Sequence, residues 1–135
     1  MVNVVSGRTY DCMAHSDLVI TSSGTATLEA AILEKPMVII YKGSPVMRLE
    51  FRLRPGVLEE FIGMPNIVAG RAVCPELIDD QVTARNMADS ALALLRDKNA
   101  AAKMRNELAK VRSELGEPGA IERAAETVLE FGEVL

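Results

Sequence analysis

The run Asp17-Leu18-Val19-Ile20-Thr21-Ser22-Ser23-Gly24-Thr25-Ala26-Thr27-Leu28-Glu29-Ala30-Ala31-Ile32-Leu33 decides the fold. Asp17 to Ile20 reads as a short apolar strand, Ser22-Ser23-Gly24 as a turn, and Thr25 to Leu33 as a helix. Pro36 stops that helix, and Met37-Val38-Ile39-Ile40-Tyr41 follows as another strand. The strands are short, β-branched and apolar along their length instead of alternating, which predicts parallel strands covered on both faces. Strand, helix and strand joined by short loops form a right-handed βαβ unit of a doubly wound sheet.

Outward from this unit the pattern continues. Val2-Asn3-Val4-Val5 reads as a further strand, and Thr9 to Ala14 as a short helix with Thr9 as N-cap. Pro45 to Arg54 is amphipathic and basic, and Pro55-Gly56 ends it. Phe61 to Val68 is an irregular apolar segment interrupted by Gly63 and Pro65. Thr83 can cap a helix running to about Arg96. Ala101, Met104, Leu108, Val111 and Leu115 recur at spacings of three and four, the stripe of another helix. Gly116-Glu117-Pro118-Gly119 breaks it, and Ile121, Ala124, Ala125, Val128 and Leu129 form a last stripe.

The architecture expected is therefore α/β: a partial Rossmann-like three-layer domain with a short, mainly parallel sheet over residues 1–82 and a helical C-terminal tail over 83–135. Three or four parallel strands leave a bare sheet edge, and such edges are normally paired or covered. The sheet is expected to continue in strands upstream of this chain, or in a second copy that makes a homodimer.

The chain has 135 residues, enough for one domain, and 49% of them are hydrophobic. Its net charge of −4 argues against a general nucleic-acid binder. No apolar run is long enough for a membrane span, and no secretory leader opens the chain. Cys12 and Cys74 lie far apart and outside any Cys-x-x-Cys pair, so both read as reduced, semi-buried thiols of a cytoplasmic protein. His15, the sole histidine, has no second ligand or nucleophile near it in sequence and reads as structural or superficial.

The turn Ser22-Ser23-Gly24 carries the chemistry. Ligands of open α/β sheets bind outside the carboxyl ends of the strands. Gly24 allows close backbone approach, and the free N–H groups and positive dipole end of the following helix suit a diphosphate. Ser22 or Ser23 can cap the helix or donate to the same anion. Thr25 and Glu29, four apart, share one helix face, so a carboxylate stands one turn below a hydroxyl. A carboxylate repels phosphate but accepts both hydroxyl hydrogens of a sugar diol, which makes diphosphate at the mouth and ribose at Glu29 a coherent nucleotide layout. An ordinary helix cap with a solvated Glu29 is the other reading of the same residues.

Taken with its neighbours, the turn resembles lipid-A-disaccharide synthases. The resemblance runs through Ser16-Asp17, Ser23-Gly24-Thr25-Ala26-Thr27-Leu28-Glu29, Pro36-Met37-Val38, Tyr41-Lys42 and Ser44-Pro45. It continues through Met64-Pro65-Asn66-Ile67, Ala69-Gly70-Arg71 and Pro75-Glu76-Leu77-Ile78. It covers residues 16 to 80, whereas the helical tail fits in character alone. It implies the donor-binding, carboxyl-terminal part of a two-domain inverting glycosyltransferase. The donor would be UDP-2,3-diacylglucosamine, the acceptor 2,3-diacylglucosamine 1-phosphate (lipid X), and the products lipid A disaccharide 1-phosphate and UDP. No metal or other cofactor is implied; helix N-termini and basic or amide groups would stabilise the leaving diphosphate. Residue by residue, the resemblance places Ser23, Gly24 and Thr25 at the diphosphate, Glu29 at the ribose, and Asn66 and Arg71 near the donor's phosphates or sugar. Tyr41 and Lys42 are weaker candidates. Asn66 and Arg71 have loop-fixing hydrogen bonds as their alternative role. Family members carry an amino-terminal domain and a Leu-Pro-Gly-Ser-Arg segment that this sequence lacks, so no general base is assigned and the isolated chain is expected to be inactive.

In the segment 45–54, Val46, Met47, Leu49, Phe51 and Leu53 interleave with Arg48, Arg52 and Arg54. Such a helix suits peripheral contact with an anionic inner-membrane surface, where acylated substrates reside. It equally suits packing on a further domain, its arginines paired with acids such as Glu50. Two other functions fit the same residues: part of another UDP-sugar transferase or epimerase, and a non-catalytic binding subunit or fragment of a split UDP-sugar transferase.

Overall fold

A computed structural model describes residues 2–44 and 61–132. The amphipathic segment 45–54 lies outside the described residues. Helix α1 (Thr9–Ala14) precedes strand β1 (Val19–Ser22), helix α2 (Thr25–Ile32) and strand β2 (Met37–Tyr41). Then come helix α3 (Met64–Ala69), strand β3 (Glu76–Ile78), a 3-10 turn (Asp79–Gln81) and helices α4 (Ala84–Arg96), α5 (Lys98–Glu114) and α6 (Ala120–Gly132).

The strands form one parallel sheet in the order β1-β2-β3. Val19 pairs with Met37 and Ser22 with Ile40, while Ile39 pairs with Glu76 and Tyr41 with Ile78. Successive strand residues point to opposite faces. Met37, Val38 and Ile39 are all fully buried, so both faces of β2 are covered. The fold is thus the partial Rossmann-like α/β arrangement expected, with a short parallel sheet.

Three local expectations are corrected. Val2 to Val5 is not a strand: it lies outside the sheet, with Val2 90% and Val4 94% exposed. β-branched composition favours a strand only where a neighbour supplies the ladder and a face to pack on. The third strand is Glu76–Ile78 instead, recruited across β2. Phe61 to Val68 is not irregular. Gly63 is the N-cap of α3 and Pro65 lies in its first turn, where a missing N–H costs nothing, so the supposed interruptions are a helix start. Finally, Arg8, not Thr9, occupies the N-cap of α1, without a side-chain cap.

Elsewhere the helical reading holds. Thr83 caps α4, its hydroxyl accepting from the Asn86 N–H, and Asp97 caps α5 by accepting from Asn99 and Ala100. Ala101, Met104, Leu108 and Val111 are the buried face of α5; Leu115, at its end, is 39% exposed. Met104 and Leu108 join Met13, Ala30, Ala31, Met37, Ile39 and Cys74 in one core cluster. The apolar stripe of α6 is uncovered among the described residues, with Ile121, Val128, Leu129 and Phe131 exposed. Cys12 is exposed and Cys74 buried, so neither is semi-buried. Desolvation, aided by the Glu76 charge, pushes the Cys74 thiol up to about 12. His15 is exposed, its Nδ1 2.8 Å from the Asp11 carbonyl. Among the described residues no helix is long and apolar enough to cross a membrane.

Candidate functional site

The three strands end side by side at Ser22, Tyr41 and Ile78, and the Ser-Gly turn leaves the first of these ends. Gly24, the N-cap of α2, has φ 146° and ψ −167°. Only glycine takes this conformation without strain. A Cβ there would meet nothing within 4 Å, so the backbone itself, not crowding, demands glycine. Beneath the turn, the buried Thr27 holds the Gly24 carbonyl twice, through its Oγ1 at 2.6 Å and its N–H at 3.0 Å. Gly24 and Thr25 are exposed. The start of α2, with N–H groups that have no partner within the helix, therefore opens to solvent at the carboxyl end of the sheet.

The sequence-predicted residues divide into three groups. Ser22, Gly24, Thr25 and Glu29 lie along the mouth and outer side of α2. Ser22 is exposed. Glu29 is half-buried, and its carboxylate makes no hydrogen bond or ion pair among the described residues. It stands one turn below Thr25 with both oxygens available.

Ser23 and Asn66 belong to the scaffold behind the turn. The Ser23 N–H donates to the Ile40 carbonyl at 2.9 Å and its hydroxyl to the Ile62 carbonyl at 2.6 Å. Both of its protons are committed, so Ser23 ties the turn to the loop before α3. Asn66 is fully buried. Its Nδ2 donates to the Cys74 carbonyl at 2.8 Å and to Glu76 Oε1 at 2.7 Å. Its Oδ1 accepts from Val73 N at 2.7 Å and Cys74 N at 2.8 Å. Four bonds exhaust an amide side chain, which identifies Asn66 as the residue that fixes the loop between α3 and β3.

Arg71 lies elsewhere. It follows α3, a helix on the order of 9 Å long that leads away from the Ile62–Ser23 junction towards the start of β3. There it pairs with Glu107 of α5, which Lys110 also holds, 2.7 Å away. The Lys110 hydrogen bond, with the nearby Arg71 and Lys103 charges, holds the Glu107 carboxyl below its ordinary range. Among the described residues, the Arg71 side chain is paired with Glu107 and makes no hydrogen bond or ion pair with the turn. Of the weaker candidates, Tyr41 is half-buried and Lys42 exposed, both at the end of β2.

One residue given no role from the sequence is central. The Glu76 carboxylate accepts from the Ile62 N–H at 3.1 Å, the Gly63 N–H at 2.9 Å and Asn66 Nδ2. No spacing rule reveals this, because Glu76 meets these groups only when β3 pairs beside β2. Among the described residues, no three His, Cys, Asp or Glu side chains gather as a metal site. The arrangement offers an anion a helix mouth, and offers a neighbouring pair of hydroxyls a carboxylate that is unpaired among the described residues.

The family model described as lipid-A-disaccharide synthetase matches residues 1–131. The chain is 42% identical over 131 residues to the lipid-A-disaccharide synthase of Solibacter usitatus, covering 96% of this chain and 34% of that relative. It is 45% identical over 131 residues to that of Geobacter sulfurreducens, and 42% identical over 132 residues to that of Synechocystis. Each covers 96% of this chain and 33% of the relative. The chain thus spans about a third of the length of the relatives it matches.

Proposed function

The chain belongs to the lipid-A-disaccharide synthase family, and on that premise we propose that it forms the donor-binding part of an inverting glycosyltransferase of lipid A biosynthesis. The donor in this reading is UDP-2,3-diacylglucosamine and the acceptor lipid X, with disaccharide 1-phosphate and UDP as products. The observation that carries it is the open mouth of α2 at the carboxyl end of β1, with the Glu29 carboxylate, unpaired among the described residues, one turn below.

The diphosphate rests against the N–H groups beginning at Thr25, where the helix dipole favours negative charge. Ser22 and the Thr25 hydroxyl lie beside it. Glu29 accepts the ribose hydroxyls. During transfer, charge accumulates on the departing UDP, and donors already oriented by the turn stabilise it without reorganising. Asn66 contributes by fixing the α3–β3 loop, not by direct contact. The acceptor pocket and general base belong to the remainder of the enzyme, so the isolated chain binds UDP but does not make disaccharide. The segment 45–54 is proposed as a peripheral membrane contact on its sequence alone. Equal liposome binding by an Arg48/Arg52/Arg54→Glu variant would remove that part.

The test is a UDP titration of the chain followed by amide shifts. Saturable shifts concentrated at residues 22–29 support the site; shifts elsewhere, or none, refute it.

A further inference from the structure

We propose that Glu76 is the positioning residue of the donor turn, acting on it through Ile62 and Ser23. This rests on the donor-site reading above, and extends it to a residue that touches no ligand.

The chain of contacts is short and directional. The Glu76 carboxylate takes the N–H groups of Ile62 and Gly63, at 3.1 and 2.9 Å, so the loop before α3 is held by one anionic side chain. One of the two, Ile62, connects outward to the turn. The Ile62 carbonyl, on the far side of that residue, accepts the Ser23 hydroxyl at 2.6 Å. Ser23 immediately precedes Gly24, whose φ of 146° sets where the first N–H groups of α2 point. Displacement of Ile62 therefore pulls on the residue next to the most constrained position of the turn.

Two independent features show that the carboxylate's place is built. A Cβ on Gly63 would stand 2.3 Å from Ile39 Cδ1 and 3.0 Å from Glu76 Oε1, so the loop backbone is packed close against both of these side chains. Asn66, fully buried and with its four bonds complete, presents one N–H to Oε1 while its other bonds clasp Val73 and Cys74. Glu76 is thus fixed from β3, from α3 and from the loop at once. Hydrogen bonds to a charged acceptor are among the stronger ones, and a carboxylate is acceptor-only, which matches three N–H donors converging on it.

Glu76→Gln keeps the shape but turns one acceptor into an NH2 group, opposed to at least one of those donors. It is expected to move the amide resonances of residues 22–26 in the free chain and to weaken UDP binding about fivefold to tenfold, a partial transmission of the loss of a charge-assisted bond. Ser23→Ala cuts the link to Ile62 and is expected to weaken UDP about threefold. The double variant should bind no more weakly than Glu76→Gln alone, because both act along one path. Val111→Ala, destabilising the core away from the turn, should leave UDP affinity unchanged and so controls for stability.

Additive losses in the double variant overturn the proposal, as does a Glu76→Gln chain with unaltered 22–26 resonances. If Glu76→Gln does not fold, Ser23→Ala and Gly63→Ala carry the test: neither perturbing residues 24–26 would refute it. If the parent chain shows no UDP response, the donor-site reading falls by itself, and the shifts of residues 22–26 in the free variants still decide the role of Glu76.

Discussion

Replacing Gly24 by alanine isolates the backbone geometry on which the turn depends. Gly24 has φ 146° and ψ −167°, and its Cβ would project into open space. The cost therefore arises within the residue, from its own Cβ against its own backbone, and amounts to about 1–3 kcal/mol for a glycine-only region. At about 3 °C per kcal/mol for a chain of this length, Tm falls by about 3–9 °C. Gly24→Asn should cost as much, because asparagine tolerates the left-handed helical region and not this one. Gly70 is the internal contrast. It sits at φ 60° and ψ 21°, inside the left-handed helical region, so Gly70→Asn should lower Tm by only about 1–2 °C. Differential scanning calorimetry of the three variants measures the pattern, and amide shifts of residues 22–27 show whether the turn relaxes instead of straining. Gly24→Ala with unchanged Tm and unchanged shifts would refute the assignment of the turn geometry.

The remaining expectations test the site, the core and the thiols. Glu29→Gln should weaken UDP about tenfold without lowering Tm, since the carboxylate has no hydrogen-bond or ion-pair partner among the described residues; equal affinity by titration calorimetry removes the ribose contact. Leu108→Ala, at a fully buried position, should cost about 2–5 kcal/mol by chemical denaturation, whereas a chain ending at Gly119 should keep its Tm, because the apolar residues of α6 are exposed. Cys74 titrates higher in the folded chain, about 12, than unfolded, near 9, so the folded state retains a proton that the unfolded state sheds. Its contribution is complete below pH 9 and declines as pH rises from 9 towards 12, by about 1.4 kcal/mol at pH 10. A Cys74→Ala chain should lose less stability between pH 8 and 10 than the parent; parallel losses would contradict the assigned burial. Under native conditions a thiol reagent should label Cys12 and spare Cys74.

What the sequence by itself determined here is local and periodic. The strand Met37–Tyr41, the helix from Thr25, the Thr83 cap and the buried stripe of α5 follow from hydrophobic spacing, Pro36 and a single capping hydroxyl. These depend on residues a few places apart, which is why reading along the chain suffices. Tertiary structure alone decided which apolar run becomes the third strand. Val2–Val5 has the better strand composition, yet Glu76–Ile78 is paired, because a ladder is made by the neighbour that can reach β2. It also decided which members of the Ser-Gly-Thr, Asn and Arg set meet. Gly24, Thr25 and Glu29 share a helix and stay together, while Ser23 and Asn66 turn inward to hold loops and Arg71 is carried to Glu107. A side chain's role at such a site is set by whether its hydrogen-bonding groups are already used, and the partners that use them, Ile62, Cys74, Glu76 and Glu107, come from distant parts of the chain.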